Sequence, residues 1–149
     1  MEKFLLRAKV EEWEHIEGQY VFRWVEGYLN LVGITEEGPK FTFVEPIKGE
    51  CVLHHHTRSG DEHYVYKPVE HSRFLKKTLS RWTGLHDKNG KKIFEGDIVL
   101  DYYGRQRWVE FFDGRYLPFN AYPEYKSLSA SQCVVIGNRW DNPELVKEP

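Results

Sequence analysis

Cys51, His54, His55 and His56, followed by His63, are the most concentrated set of metal-ligating side chains in the chain. On a strand His54 and His56 share a face. That pair could hold zinc or another transition ion together with Cys51, or with His63 reached across a hairpin. Adjacent histidines do not by themselves define a site, and a solvated hairpin tip is the favoured reading. Asp97 and Asp101 on one strand could bind a divalent cation, although exposed strand charges account for them more simply. Nucleophilic catalysis needs a Ser or Cys held by a base. The chain has no G-x-S-x-G elbow, and Ser127, Ser129 and Ser131 fall in a polar stretch. The segment Gly90 to Asp97 (GKKIFEGD) lacks the final Gly-Lys-Ser/Thr of a phosphate cradle. No catalytic residue and no cofactor is expected, and the chain reads as non-enzymatic.

Nucleic-acid chemistry is the sharper alternative. Between Arg73 and Lys92 stand seven basic residues (Arg73, Lys76, Lys77, Arg81, Lys88, Lys91, Lys92) against Asp87 alone, with Trp82 among them. Cations interleaved with an aromatic suit a phosphate-tracking surface with one stacking platform. Against it, Glu11, Glu12, Glu14 and Glu17 make an acidic start, and the whole chain is at −2 with a pI near 6.4. Attraction between the acidic start and the basic middle, within or between chains, competes with a nucleic-acid partner.

These residues have to be positioned by strands. The 149 residues are 15% aromatic and near neutral, which excludes the disordered-acidic and strongly basic classes and supports a packed core. No run of about 18 apolar residues could cross a membrane, and Met1 to Val10 is too charged for a signal peptide, so a soluble intracellular chain is expected. Cys51 and Cys133 match no zinc or redox spacing and read as buried thiols. Gln19 to Val32 is rich in β-branched and aromatic residues and reads as two strands parted at Glu26-Gly27. Lys40 to Val44 alternates as a half-buried strand does, and Glu50 to His55 with His63 to Tyr66 reads as a hairpin. Val69 to Leu79 reads as a short helix capped by Ser72, or as an extended linker. Asn89-Gly90, Gly104-Arg105 and Asp113-Gly114 punctuate strands Lys91 to Phe94, Asp97 to Tyr103, Gln106 to Phe112 and Arg115 to Phe119, and Asn89-Gly90 supplies the positive φ values of a tight turn. Tyr122 to Gln132 reads as a long loop before a last strand, Cys133 to Gly137. One helical turn is expected at Asn142-Pro143. Phe111 and Phe112, being adjacent, cannot both face a core.

Two strings carry a resemblance. Trp82 to Val99 reads WTGLHDKNGKKIFEGDIV, and Val135 to Val146 reads VIGNRWDNPELV. They resemble the YopX family of phage and prophage proteins, which typically carries TGLKDKNGKEIYEGDIV and then VIGNIYENPEL. The residues shared with that pattern include Thr83, Gly84, Leu85, Asp87, Asn89, Gly90, Glu95, Gly96, Asp97, Gly137, Asn138, Asn142 and Pro143. Arg7 and Val25-Glu26-Gly27-Tyr28 are similar to its opening. His86 and Lys92 depart from the usual Lys and Glu, and a diverged or inserted region is expected between about Ile34 and Leu79. The resemblance implies an SH3-like small barrel in the second half and no assigned reaction. Most of the motif is explicable as folding information, the glycines serving tight turns or close approaches.

The sequence therefore predicts an all-β chain with minor α content. A β-rich N-terminal region (1–79) ends in a short helix or linker, and an SH3-like barrel (80–149) follows. It predicts a cytoplasmic phage or prophage accessory protein that binds a host or phage protein, or itself. Nucleic acid is the alternative partner, and no membrane is involved.

Overall fold

The computed structural model describes residues 5–46, 69–119 and 128–145, and the strand backbone of 51–56 and 62–66. The fold is all-β and antiparallel, and its only helical pieces among the described residues are the single 3-10 turns Ala130–Gln132 and Pro143–Leu145. The chain divides into two compact units, Met1–Leu79 and Ser80–Pro149.

The first unit holds β1 (Leu6–Glu14), β2 (Gln19–Thr35), β3 (Gly38–Glu45), β4 (Cys51–His56), β5 (Glu62–Tyr66), β6 (Val69–His71) and the start of β7 (Phe74–His86). The strands β6, β3, β2, β1 and β7 are hydrogen-bonded neighbours in that order, while β4 and β5 form the expected hairpin. Alternation along the strands sends Ala8, Val10, Val25 and Phe43 into one core, against which Leu6, Leu29, Phe74 and Leu79 pack. Burial of each large side chain of this kind contributes about 1.5–3 kcal/mol.

Two expectations fail in this unit. Gln19 to Thr35 is one long strand, paired with β1 straight through Arg7↔Glu26 and Leu6↔Gly27; the irregularity falls later, between Leu31 and Gly33. Gly27 is there because a Cβ would strike the Val44 carbonyl. The helix or linker at Val69 to Leu79 is instead strand on either side of Ser72 and Arg73. Thr78 and Ser80 are buried between half-exposed neighbours, a period of two, and the Lys9 N–H donates to Thr78 Oγ1 at 2.9 Å. Ladder pairing of Val69–His71 to β3 and of β7 to β1 outweighs a weak helical spacing.

The second unit pairs the end of β7 with β8 (Lys92–Phe94) at Trp82↔Phe94 and His86↔Lys92. In it β9 (Asp97–Leu100) lies between β10 (Gln106–Trp108) and β13 (Val134–Asn138), and β11 (Glu110–Phe112) pairs with β12 (Arg115–Leu117). Ile93, Val99, Val109, Phe119, Ala130 and Cys133 form its core. Among the described residues no sheet closes on itself. The single strand expected over Gln106 to Phe112 is broken at buried Val109, whose N–H and carbonyl bond Asp97 and Gly96, so β10 and β11 serve different sheets. Phe111 and Phe112 are both exposed, at 38% and 58%, and Val109 fills the core in their place.

Candidate binding surfaces

The two motif strings, far apart in sequence, form one structure. Asp97 pairs with Asn138 and Ile98 with Gly137 along β9 and β13. Asp87 accepts the Asn89 and Lys91 N–H groups on Oδ1 and the Val135 N–H on Oδ2, all at 2.9–3.0 Å, which locks a turn and docks it on β13. Burial would raise its pKa, but the N–H groups of Val135, Lys91 and Asn89 outweigh that and hold it below the usual carboxylate value. Gly90 alone takes positive φ there, at 79°, so the turn is a type I turn with a glycine bulge; the paired positive φ values expected at Asn89-Gly90 occur instead at Asp113-Gly114.

Asp101-Tyr102-Tyr103-Gly104-Arg105 repeats the device. Its Oδ1 accepts the Tyr103 and Arg105 N–H groups at 2.9 Å, and Gly104 has φ 75°. Asp97 is fully buried, its Oδ2 accepting the Phe94 N–H at 2.8 Å. Asp97 and Asp101 are therefore buried turn-holding carboxylates, in contrast to the exposed pair expected.

The remaining motif residues have similar tasks. Thr83 Oγ1 donates to the Ile93 carbonyl at 2.7 Å and accepts the Leu85 N–H at 3.2 Å, across the irregularity that contains Gly84. Gly96 lies under Trp140, where a Cβ would come within 2.5 Å of the ring, and at Gly137 a Cβ would strike Asn142. Asn138 accepts the Trp140 and Asp141 N–H groups on Oδ1, while Asn142 accepts the Asn138 N–H, ahead of the turn that begins at Pro143.

Several groups of the basic segment are engaged within their own unit. Arg81 is held by Glu95 at 3.0 Å and lies 3.8 Å over the Phe111 ring; the hydrogen bond to Glu95 raises its pKa. Trp82 is half-buried, donates Nε1–H to the Leu85 carbonyl and meets His86 edge-on, so it is not a free stacking platform. Arg73 reaches Glu11 at 3.8 Å and lies over Tyr20, which joins the acidic start to the basic middle within the chain. Lys76 and Lys77 are exposed on opposite faces of β7; Lys88 and Lys91 are exposed in the Asp87 turn, and Lys92 is half-buried on β8. The side chains of Cys51, His54, His56 and His63 lie outside the described residues; the backbone sets His55 opposite His63 and Cys51 opposite Tyr66. Among the described residues no group of His, Cys, Asp and Glu is arranged to hold a metal, and no helix is long and apolar enough to cross a membrane.

Two features of the first unit were not legible beforehand. On one face of the β1–β2 ribbon Trp13 stands opposite Tyr20 and Glu11 opposite Phe22. Trp13, Tyr20 and Phe22 are 47%, 52% and 53% exposed, with Ile16 at 92% on the connecting turn, and Trp13 and Tyr20 meet edge-on at 5.0 Å. On the other face Arg23 bridges two carboxylates, Glu12 at 2.7 Å and Glu45 at 3.1 Å, and His71 Nε2 lies 3.1 Å from Glu45. The bond from Arg23 lowers the Glu12 pKa; for Glu45, burial acts upward but Arg23 and His71 together bring it below its usual value.

Beside the aromatic face is an open cleft of about 370 Å³ between β3 and the start of β7. Phe22, Phe41, Phe74 and Leu75 give it an apolar lining, and Lys40, Arg73 and Lys76 stand against Glu11 at its rim.

None of the curated proteins matches the chain. Of solved structures, the crystal structure of protein EF1440 from Enterococcus faecalis is similar at 20% identity and a TM-score of 0.46, over 98% of this chain and 100% of that one. A family model described as YopX protein matches residues 34–147, spanning both motif strings and the strands between them. On that match the chain belongs to the YopX family.

Proposed function

We propose that this chain is a non-enzymatic, cytoplasmic accessory protein of phage or prophage origin that works by binding another protein, host or phage, through the aromatic face of its β1–β2 ribbon. The observation that carries the reading is the cluster of Trp13, Tyr20 and Phe22, each about half exposed on one face, with Ile16 at the tip. Aromatic side chains beside an arginine are the composition of interface hot spots, and covering such apolar area is worth about 25 cal/mol per Å² before the costs of association. The resemblance of the motif strings to phage and prophage proteins supports the origin. The six short strands β8 to β13, packed with the end of β7 around Val99 and Val109, support an SH3-like barrel as the architecture of the second unit.

Nucleic acid is the weaker partner for this surface. Glu11 shares the face of the aromatics and Glu17 lies in the adjoining turn, while Arg73 and Arg81 are engaged by carboxylates. The test is a pulldown from infected or induced host cells, with and without nuclease, using the wild-type chain and a Trp13→Ser, Tyr20→Ser variant of matched stability. A nuclease-resistant protein that the variant loses supports the reading; capture that disappears with nuclease, or that the variant retains, overturns it. Sedimentation at rising concentration separates a foreign partner from a second copy.

A further inference from the structure

We infer that the cleft between β3 and β7 takes an extended acidic segment of the partner, laid along the uncovered edge of β3; this rests on the protein-binding reading and names the chemistry of what is bound. β6 covers β3 only over Phe43↔His71 to Glu45↔Val69. Past His71 the chain breaks at Ser72 and Arg73, then starts β7 beside β1. Among the described residues β3 therefore has no ladder partner on that side from Gly38 to Thr42. The cleft lies at this divergence: its lining takes Lys40 and Phe41 from β3, Ser72 and Arg73 from the break, and Phe74, Leu75 and Lys76 from β7.

An unpaired strand edge offers its N–H and C=O groups to an added strand, and alternate side chains of that strand then meet opposite faces. Lys40, Arg73 and Lys76 are exposed, and Glu11 is the single carboxylate of the lining, itself 3.8 Å from Arg73. With Arg73 paired to Glu11, the exposed Lys40 and Lys76 leave the lining net positive, which selects carboxylates, and Phe22 and Phe41 give the intervening side chains an apolar seat. A single-stranded nucleic acid would share the cations and the rings. It would also bring its phosphates past Glu11 in the lining, whereas a peptide can place a basic or neutral residue there.

The experiment selects a random-sequence peptide library on the immobilised full chain and repeats the selection on a Lys40→Glu, Lys76→Glu variant and on Trp13→Ser, with unfolding curves confirming that each is folded. Enriched peptides rich in Asp or Glu at alternating positions, binding at least tenfold more weakly to the double-charge variant, are expected. Enriched peptides without acidic bias, or bound equally by that variant, overturn the cleft assignment; if they still depend on Trp13, the protein-binding reading stands. No enrichment on any form removes both. Binding of labelled oligo-dT that the same lysine changes abolish, with no acidic peptide enriched, overturns the assignment in favour of nucleic acid.

Discussion

Replacing Gly96 with Ala isolates the contact that joins the two motif strings. Gly96 has φ 87°, and its backbone is pinned on both sides: its N–H bonds the Val109 carbonyl at 2.7 Å and its carbonyl accepts the Arg139 N–H at 2.9 Å. The residue cannot swing away. Placing a side chain in the left-handed region costs about 1–2 kcal/mol. The added Cβ would also lie 2.5 Å from Trp140 Cη2 and Cζ3, so the half-buried ring must shift to admit it. Overpacking of this kind adds about 1–3 kcal/mol, for a total of about 2–5 kcal/mol.

Gly84→Ala is the internal control. Gly84 has φ 82° but nothing lies within 4 Å of its would-be Cβ, so only the backbone cost of about 1–2 kcal/mol applies. Urea unfolding with matched slopes reads both variants, and a Trp140→Ala background reads the coupling. In that background Gly96→Ala should cost no more than Gly84→Ala. Equal costs for the two glycines in the wild-type background, or a Gly96 cost unchanged by removing the Trp140 ring, would refute the reasoning.

Asp87→Ala orphans the N–H groups of Asn89, Lys91 and Val135 and should destabilise the second unit by about 3 kcal/mol, measured in the same urea series. Because the folded-state pKa of Asp87 is lowered, its stabilisation is complete above the unfolded-state value of about 3.9 and is lost as pH falls below that toward the folded value. An Asp87→Ala chain should accordingly lose less stability than the wild type between neutral pH and that range. Burial raises the pKa of the Cys133 thiol, which is also 1% exposed; in a Cys51→Ser background it should react with a thiol reagent at pH 8 only after denaturant is added, and rapid labelling of the folded chain would contradict its place in the core. Arg81→Ala should lower stability by about 1 kcal/mol through loss of the Glu95 pair and the Phe111 stack, both partly exposed and therefore screened. A neutral result on thermal unfolding would show that neither contact matters in solution.

Strand content, the hairpin of β4 and β5, the buried Cys133 and the turn at Asp113-Gly114 were all legible because they depend on local chemistry: β-branched and aromatic alternation, and residues that tolerate positive φ. The family was legible too, since its motif residues are the turn and close-approach positions that a fold must keep. Local chemistry misled where a distant partner decides the outcome. Phe74, Leu75 and Leu79 suggest a helix until β3 offers Val69–His71 a ladder and β1 offers one to β7, and Glu26-Gly27 suggests a turn until Val44 is seen to need the space. Asp97 and Asp101 look exposed until the N–H groups they accept are placed around them. The same holds for the surface. Composition could count aromatics and charges, but register alone sets Trp13 opposite Tyr20, and only the tertiary fold brings Lys40 and Arg73 into the lining of one cleft. Turn and strand preferences act between neighbours in sequence, whereas burial and surface chemistry depend on which strands meet, and β9 with β13, like β1 with β7, come together from tens of residues apart.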